Sequence, residues 1–365
     1  MNSHAIFLFL ASIGLVSNAG RIGVDKASKH SVSAEQSAAF IAGEARTAVE
    51  KLAALLEENF IYPDIGAAYS RMLRGKLASG AYARFPSSEE FANVVTADLQ
   101  AVNREGHLKL MAPGAQPPGQ SAAGTSGSGV GKAGWLAPGV AYLSIHGFQG
   151  NRSEYTRLMN RLREVLDRFS TAQSVIIDAR PYVGGALEET DIMASYFFAK
   201  PTILLHIDIR QDVEKSGFSP LGESATLRRI SGPKGVVRRE QVAVPSKAAT
   251  KLRQARIFLL TSRATASGGE GFTLSMKHTG RATIIGEATA GAGHLGRTTP
   301  LTGGYRSFNP VGRPFDPATG KGREQTGVDP HVKVPAEKAL DEALHRAGVD
   351  PAMAKKALES LKTDW

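Results

Sequence analysis

The chain has 365 residues, of which 42% are hydrophobic and 21% charged, with a formal net charge of +10 and no cysteine. That length admits two domains or one large one with appendages, and the composition is that of a globular chain with ample material for a core. The missing cysteine excludes disulfides, thiolate metal sites and a cysteine nucleophile. The positive charge is scattered, with no long basic block and no aromatic-interleaved basic motif, which argues against a nucleic-acid partner.

Residues 1–19 carry no Lys, Arg, Asp or Glu. The apolar run 5–16 has the length of a signal-peptide core, too short to span a bilayer, and Ser17-Asn-Ala19 is a small-x-small cleavage pattern. A basic n-region is missing, so a buried N-terminal helix is the competing reading. The expectation is a signal peptide over 1–19 and a secreted or periplasmic protein, with no later stretch long enough to cross a membrane. Residues 20–44 form a polar lead-in.

From Arg46 the spacing of Val49, Leu52, Leu55 and Leu56 predicts a helix, broken at Asn59-Phe-Ile-Tyr-Pro63. A second helix is predicted over 65–77 and a third from Ser87-Ser88-Glu-Glu through Val102, giving a small helical domain over 45–112. It ends in Gly106-His-Leu-Lys-Leu110, an entry into a strand. Residues 113–134 hold seven glycines and three prolines and read as a linker. Gly129-Val-Gly-Lys-Ala-Gly134 matches a dinucleotide fingerprint in letters only, since no strand is predicted before it and no helix after it.

From Trp135 the pattern alternates. Strands are predicted over 140–145, 174–178, 203–209, 257–261 and 282–285. Helices are predicted over 153–169, 188–198 and from Ser267 toward Gly280. This is the signature of an α/β core, assigned to 135–334. Arg228-Arg229 and Arg238-Arg239 flank Gly232-Pro-Lys-Gly235 and read as a solvated hairpin. Two short helices follow over 335–365.

The stretch Thr261-Ser-Arg-Ala-Thr-Ala-Ser-Gly-Gly-Glu270 reads as strand, tight turn and helix, with Ser267 at the turn. Ser267 and Glu270 fit a capping box. The same placement puts a serine hydroxyl at the positive end of a helix, beside the N–H of Gly268, as an acyl-transfer nucleophile requires. A nucleophilic serine needs a base. Position in the predicted elements leaves His107, His146, His294 and His331 near turns at strand ends. No His-Glu-x-x-His or His-x-His spacing suggests a metal. Asp178-Ala-Arg-Pro-Tyr-Val-Gly-Gly185 follows a buried strand, and its glycine pair can aim an N–H at a carbonyl or simply make a turn. Glu324 lies in a loop.

Together these pieces resemble the serine peptidase superfamily of C-terminal-processing (tail-specific) peptidases, in the branch similar to interphotoreceptor retinoid-binding protein and the tricorn core. The matching residues run in order from Glu105-Gly-His-Leu108 through Asp178, Arg180, Gly184 and Gly185. They continue with Thr261, Ser262, Thr265, Ser267 and Glu270, then Gly286, Glu287, Thr289 and Gly291. The last set is Asp316, Pro317, Thr319, Gly320, Glu324, Gly327, Val328 and Pro330. The resemblance implies Ser267 as nucleophile, His107 as base and Glu324 as the carboxylate orienting it. It implies an oxyanion hole from the N–H groups of Gly268 and of Gly184 or Gly185. It also implies a crotonase/ClpP-like spiral core.

Processing peptidases of this superfamily carry a lysine base some two dozen residues after the serine, where this chain reads Ala290-Gly-Ala-Gly-His294. They also carry a PDZ domain, for which 113–134 leaves no room. Departures from the pattern are Ala179, Tyr182, Glu105 and the pair Gly268-Gly269. The implied activity is cofactor-free peptide hydrolysis on a polypeptide substrate. The alternatives are a non-catalytic module binding hydrophobic ligands or peptides, and an esterase or amidase for small acyl groups.

Overall fold

In the computed structural model, which describes residues 39–115, 129–147 and 152–361, three helices come first. The expected signal peptide, most of the lead-in and the middle of the expected linker lie outside the described residues. Helix α1 (Ala42–Asn59) buries Val49, Leu52 and Leu56 on one face. Helix α2 (Pro63–Ala78) starts on Pro63, whose fixed φ suits the first turn. Helix α3 (Ser88–Val102) is capped by Ser87, whose side chain accepts from the Glu90 N–H at 3.1 Å. Their core of Leu52, Leu56, Phe60, Tyr69, Phe91 and Leu99 is completed by Leu301 and Tyr305 from the far end of the chain.

Strand β1 (Leu110–Met111) leaves this helical layer. Next come β2 (Val130–Ala137), β3 (Val140–Ile145), α4 (Arg152–Arg168), β4 (Ser174–Asp178), α5 (Glu188–Phe197), β5 (Thr202–Arg210) and α6 (Gln211–Lys215). Then follow β6 (Leu227–Ile230), β7 (Val236–Ala243), β8 (Arg256–Thr261), α7 (Gly268–His278), β9 (Thr283–Gly286), β10 (Leu295–Pro300) and β11 (Arg306–Phe315). Strand β12 (Val332–Lys333), α8 (Ala339–Ala347) and α9 (Pro351–Ser360) close the series.

One sheet runs β12-β9-β8-β4-β3-β2, parallel except where β2 pairs β3. Its central strands are apolar on both faces because both are covered. Val175, Ile177, Ile257 and Leu259 pack under α4, α5 and α7. Ile176, Phe258, Leu260 and Ile285 face α8 and α9. The second sheet is antiparallel, in the order β1-β11-β5-β7-β6 with β10 on β11. The chain thus has the expected α/β architecture with helices at both ends, and the described residues belong to one compact unit.

Three local expectations change. The glycine-rich stretch ends earlier, since Val130–Ala137 is a strand on β3. Strands β10 and β11 were not predicted: β10 is largely solvent-facing, and Pro310 and Pro314 weaken the signal of β11. The basic hairpin is not wholly solvated. Arg239 is only 1% exposed and reaches both carboxylate oxygens of Glu214 at 2.7 and 2.8 Å, while Arg238 does the same to Asp208.

Candidate active site

Strand β8 delivers the chain to a turn whose polar side chains hold it against the end of β4. Thr265 Oγ1 donates to the Ala179 carbonyl at 2.7 Å, and Ser262 Oγ donates to that of Arg180 at 2.8 Å. The Ala266 N–H reaches the Tyr182 carbonyl at 3.0 Å. Asp178 and Arg180 form a bidentate pair that also takes the Tyr142 hydroxyl and the Ala336 carbonyl, so Asp-x-Arg fixes the strand end.

Ser267 follows, with φ 52° and ψ −118°, a left-handed conformation that costs a non-glycine residue about 1–3 kcal/mol. Its surroundings hold it there. The Ser267 N–H donates to Glu270 Oε2 at 3.0 Å, and its carbonyl accepts from Arg323 Nη2 at 3.1 Å and from the N–H groups of Glu270 and Gly271. Glu270 is fully buried and does more than serve the helix end. Its carboxylate also accepts from Thr289 Oγ1 at 2.6 Å and from the N–H groups of Gly291 and Ala292 at 2.8 and 2.9 Å. It therefore ties the serine turn to the loop 287–294.

The two glycine pairs interlock. A Cβ on Gly184, whose φ is +108°, would stand 2.8 Å from Ser267 Cβ and 2.7 Å from the Gly268 nitrogen. A Cβ on Gly268 would meet the Gly185 nitrogen at 2.9 Å. A Cβ on Gly269 would meet the Tyr182 carbonyl at 2.5 Å and the Tyr182 ring at 3.1 Å. Two departures from the expected pattern, Tyr182 and Gly269, are thus one packing solution: the buried ring occupies the space that a second alanine would need.

Ser267 and Gly268 open on a cavity of about 530 Å³ whose walls also include Gly185, His294, Arg323 and Leu205. The four candidate histidines separate here. His331 Nδ1 accepts the Ile284 N–H at 3.0 Å. His146 lies beside Ser144 Oγ at 3.3 Å. His107 is stacked on Phe308 at 4.8 Å, is not part of the cavity wall, and its buried Nδ1 has no hydrogen-bond partner. Burial pushes its pKa down to about 4, with Glu324 acting in the opposite direction. His294 does line the cavity.

The His294 ring is fixed by carboxylates. Its Nδ1 lies 2.7 Å from Glu105 Oε2 and 3.7 Å from Glu324 Oε2. The Glu105 side chain is 0% exposed. Glu324 collects three backbone donors, Gly106 N–H at 2.7 Å, Gly293 N–H at 2.6 Å and His294 N–H at 3.0 Å. It thereby pins the helical layer to the histidine loop. Among the described residues, Glu105, His294 and Glu324 are the group that can offer a cation three ligand atoms, all within 4.8 Å of one another. Both carboxylates already have partners, and Glu105 orients an imidazole.

Of the residues implied by the sequence, the cavity wall therefore unites Ser267, Gly268 and Gly185, with Gly184 packed against them. Glu324 stands one layer behind, and His107 is stacked on Phe308 outside the lining, with Glu324, Arg323 and His294 among the charges that act on it. Sequence reasoning held His294 as one of four open candidates and gave Glu105 no role. It missed Arg323 altogether. The signal for the pair was an acidic residue and a histidine far apart in sequence, which only the fold brings together.

A sequence model of peptidase family S41 matches residues 139–334, and a model of the N-terminal domain of peptidase S41 in eukaryotic IRBP matches residues 35–129. Among solved structures, the chain resembles a lipoprotein from Streptococcus agalactiae, with 15% identity, a TM-score of 0.56, and coverage of 83% of this chain and 95% of that one. It resembles the photosystem II D1 C-terminal processing protease, with 14% identity, a TM-score of 0.52, and coverage of 85% and 98%. It also resembles the tricorn protease, with 14% identity, a TM-score of 0.50, and coverage of 88% of this chain and 37% of that one. At these identities the likeness is one of fold. With the family model spanning more than half of the sequence, the chain belongs to peptidase family S41.

Proposed function

We propose that the chain is a serine peptidase in which Ser267 is the nucleophile, His294 the general base, and Glu105 the carboxylate that orients it. The observation that carries this reading is the shared cavity wall of Ser267 and His294, with His294 Nδ1 held by a buried carboxylate at 2.7 Å. That bond puts the proton on Nδ1 and leaves Nε2 as the basic nitrogen.

The steps follow from these roles. Ser267 Oγ attacks the scissile carbonyl carbon while His294 Nε2 takes the hydroxyl proton. The oxyanion is received by the N–H groups of Gly268 and Gly185, which the interlocked glycines bring together beside Ser267. The tetrahedral adduct collapses, the C–N bond breaks, and His294 returns the proton to the leaving amine. Water, deprotonated by the same nitrogen, then attacks the acyl carbon and releases Ser267. Glu105 carries the matching negative charge throughout, and Glu324 holds the loop that presents His294.

His107, with Glu324 as the carboxylate orienting it, is the alternative base implied by the resemblance to the branch similar to interphotoreceptor retinoid-binding protein and the tricorn core. His107 is stacked on Phe308 and does not line the cavity, although Glu324, Arg323 and His294 are among the charges that act on it. A fluorophosphonate probe decides between the two. Labelling of the full chain is expected to be lost in Ser267→Ala and in His294→Ala and retained in His107→Ala. No labelling of folded protein would sink the serine mechanism, and the reverse histidine pattern would move the base to His107. A panel of peptide, ester and amide substrates separates a peptidase from a small-acyl esterase. Residues 1–19 make this an exported enzyme, for which N-terminal sequencing of secreted protein should read from Gly20.

A further inference from the structure

The loop that carries Gly184 and Gly185 has little of its own to hold it. Among the described residues, the backbone of 183–186 makes a single hydrogen bond, from the Ala186 N–H to Glu189 Oε1 at 2.8 Å. Otherwise the loop rests on contact, with Gly184 and Gly185 packed against Ser267 and Gly268. Whatever fixes the Glu189 carboxyl therefore fixes the peptide that follows Gly185.

Glu189 is fully buried and, among the described residues, forms no ion pair. Its Oε2 lies 2.7 Å from the Tyr155 hydroxyl of α4, and that hydroxyl lies 3.3 Å from Glu188 Oε2. Glu188 is exposed and lines the Ser267 cavity. One phenol proton cannot serve two carboxylates at once. With Glu189 ionised, two like charges face each other across the hydroxyl. With Glu189 protonated the set is complete: its proton goes to the Tyr155 oxygen, the Tyr155 proton goes to Glu188, and Oε1 still accepts the Ala186 N–H. Burial pushes the Glu189 pKa up to about 8, and Glu188 adds to the rise against the Tyr155 and Ala186 donors. Tyr182 is the other titratable group that feels this charge. The remaining charges around α5 are engaged elsewhere. Asp191 is bonded to Thr226 and Gln241. Asp167, Arg253 and Arg281 lie toward the far end of the helix, on the Tyr196 hydroxyl and on the carbonyls of Ser246, Ala248 and Phe197. Helix α7 contributes Phe272 and Met276 to the shared core.

We propose that Glu189 is a positioning residue that holds the oxyanion loop as a neutral acid, and that its ionisation switches acylation off. The proton leaves by a relay. Glu189 Oε2 gives its proton to the Tyr155 oxygen as Tyr155 gives its own to Glu188, which releases it to hydroxide or buffer base in the cavity. The negative charge left on Glu189 then stands beside the peptide next to the Gly185 N–H, where an oxyanion must form, and the two charges repel in a site poor in water. The inference rests on the proposed acylation of Ser267 with Gly185 as an oxyanion donor.

The test is the rate of fluorophosphonate labelling of the full chain from about pH 6 to about pH 10, with circular dichroism at each pH to confirm folding. Wild type should show an alkaline limb centred near the Glu189 pKa, falling about tenfold per unit beyond it. Glu189→Gln reproduces the neutral acid's hydrogen bonds and cannot ionise, so its profile, scaled to its own maximum, should stay level within about twofold over that limb. Tyr155→Phe removes a donor that stabilises the anion and should move the limb up by about one pH unit. Glu189→Ala loses the acceptor and should slow labelling about 10- to 100-fold at every pH, with part of the loss restored by Gln. A wild type without the limb overturns the proposal, and so does a limb unmoved in both Glu189→Gln and Tyr155→Phe, since a residue that merely caps α5 would change stability and leave the profile alone. Folded wild type that no fluorophosphonate labels would refute the serine mechanism itself, a result visible before any variant is made.

Discussion

Replacing Glu105 by glutamine separates the proposed base from its alternative. The carboxylate is wholly buried, 2.7 Å from His294 Nδ1, and does not line the substrate cavity. During acylation His294 becomes an imidazolium, and a charge-assisted hydrogen bond of this kind contributes about 1.5–3 kcal/mol. At about 1.4 kcal/mol per decade, losing the charge alone lowers kcat about 10- to 100-fold. If the glutamine amide nitrogen turns toward Nδ1, the proton moves to the wrong nitrogen and the loss approaches about 10⁴-fold. KM should change little, because Glu105 does not touch the cavity. The assay is steady-state hydrolysis of a peptide, with the rate of fluorophosphonate labelling as a substrate-independent check. A variant within twofold of wild type in both rates, properly folded, would refute the role of Glu105 and with it the His294 assignment.

Other outcomes follow from the packing and from the displaced titrations. Gly269→Ala improves helix propensity by about 1 kcal/mol, yet its Cβ would meet the Tyr182 carbonyl at 2.5 Å. The overpacking should dominate, lowering stability by about 1–3 kcal/mol in a denaturant titration, whereas a gain in stability would show that the serine turn yields easily. Burial raises the Glu189 pKa to about 8 in a fold where Tyr155 and the Ala186 N–H hold its carboxyl beside the Gly184-Gly185 loop. The unfolded chain releases that proton near 4.5, so this contribution is intact below about 4.5 and is lost as pH rises toward about 8, at up to about 1.4 kcal/mol per unit. Glu189→Gln should therefore stabilise the protein relative to wild type across that window, and parallel pH–stability curves would contradict it. His107 has the opposite sign. Its lowered pKa means that the unfolded state binds the proton first, so stability falls as pH drops from about 6.5 to about 4. His107→Gln should remove part of that acid sensitivity, read as a smaller loss of melting temperature over the same range.

Much of the fold was legible because its cues are local. Val49, Leu52 and Leu56 repeat at helical spacing, Ser87 caps α3, and the apolar runs of β3, β4 and β8 are short enough to be strands covered on both faces. Strands β10 and β11 escaped because their pairing depends on partners far along the chain and their prolines suppress the signal. The serine turn was legible for the same local reason, since Thr265, Ser267 and Glu270 act on backbone within reach of the turn. The base was not. Choosing among His107, His146, His294 and His331 requires knowing which ring lines the Ser267 cavity, and the contact on which the His294 proposal rests is with Glu105, 189 residues away in sequence. Arg323 gave no signal, because an arginine in a glycine-bounded loop looks solvent-exposed until the loop is folded over it.

The exchange of a lysine for a histidine downstream of the serine, if His294 is the base, alters what the rest of the molecule must supply. A lysine needs only desolvation and neighbouring donors to lower its pKa, and these can come from within the core. An imidazole needs a second group on its far nitrogen to fix the tautomer and balance the charge. That group here is Glu105, which follows α3 in the helical layer, and its N–H is anchored to Gln100 of the same helix at 3.0 Å. Glu324 strengthens the junction by accepting from Gly106 on one side and from Gly293 and His294 on the other. The helical layer is then part of the catalytic apparatus, not a cover over it. Gln100→Ala tests this at a distance from the cavity. It frees the Glu105 backbone and the two carbonyls that the Gln100 amide holds, at 2.9 and 2.8 Å. It should lower kcat with KM unchanged, in the same direction as Glu105→Gln. In a double-mutant cycle the two losses should fall short of additive, because both act through one imidazole. Fully additive losses would mean that the helical layer reaches the chemistry by some route other than His294.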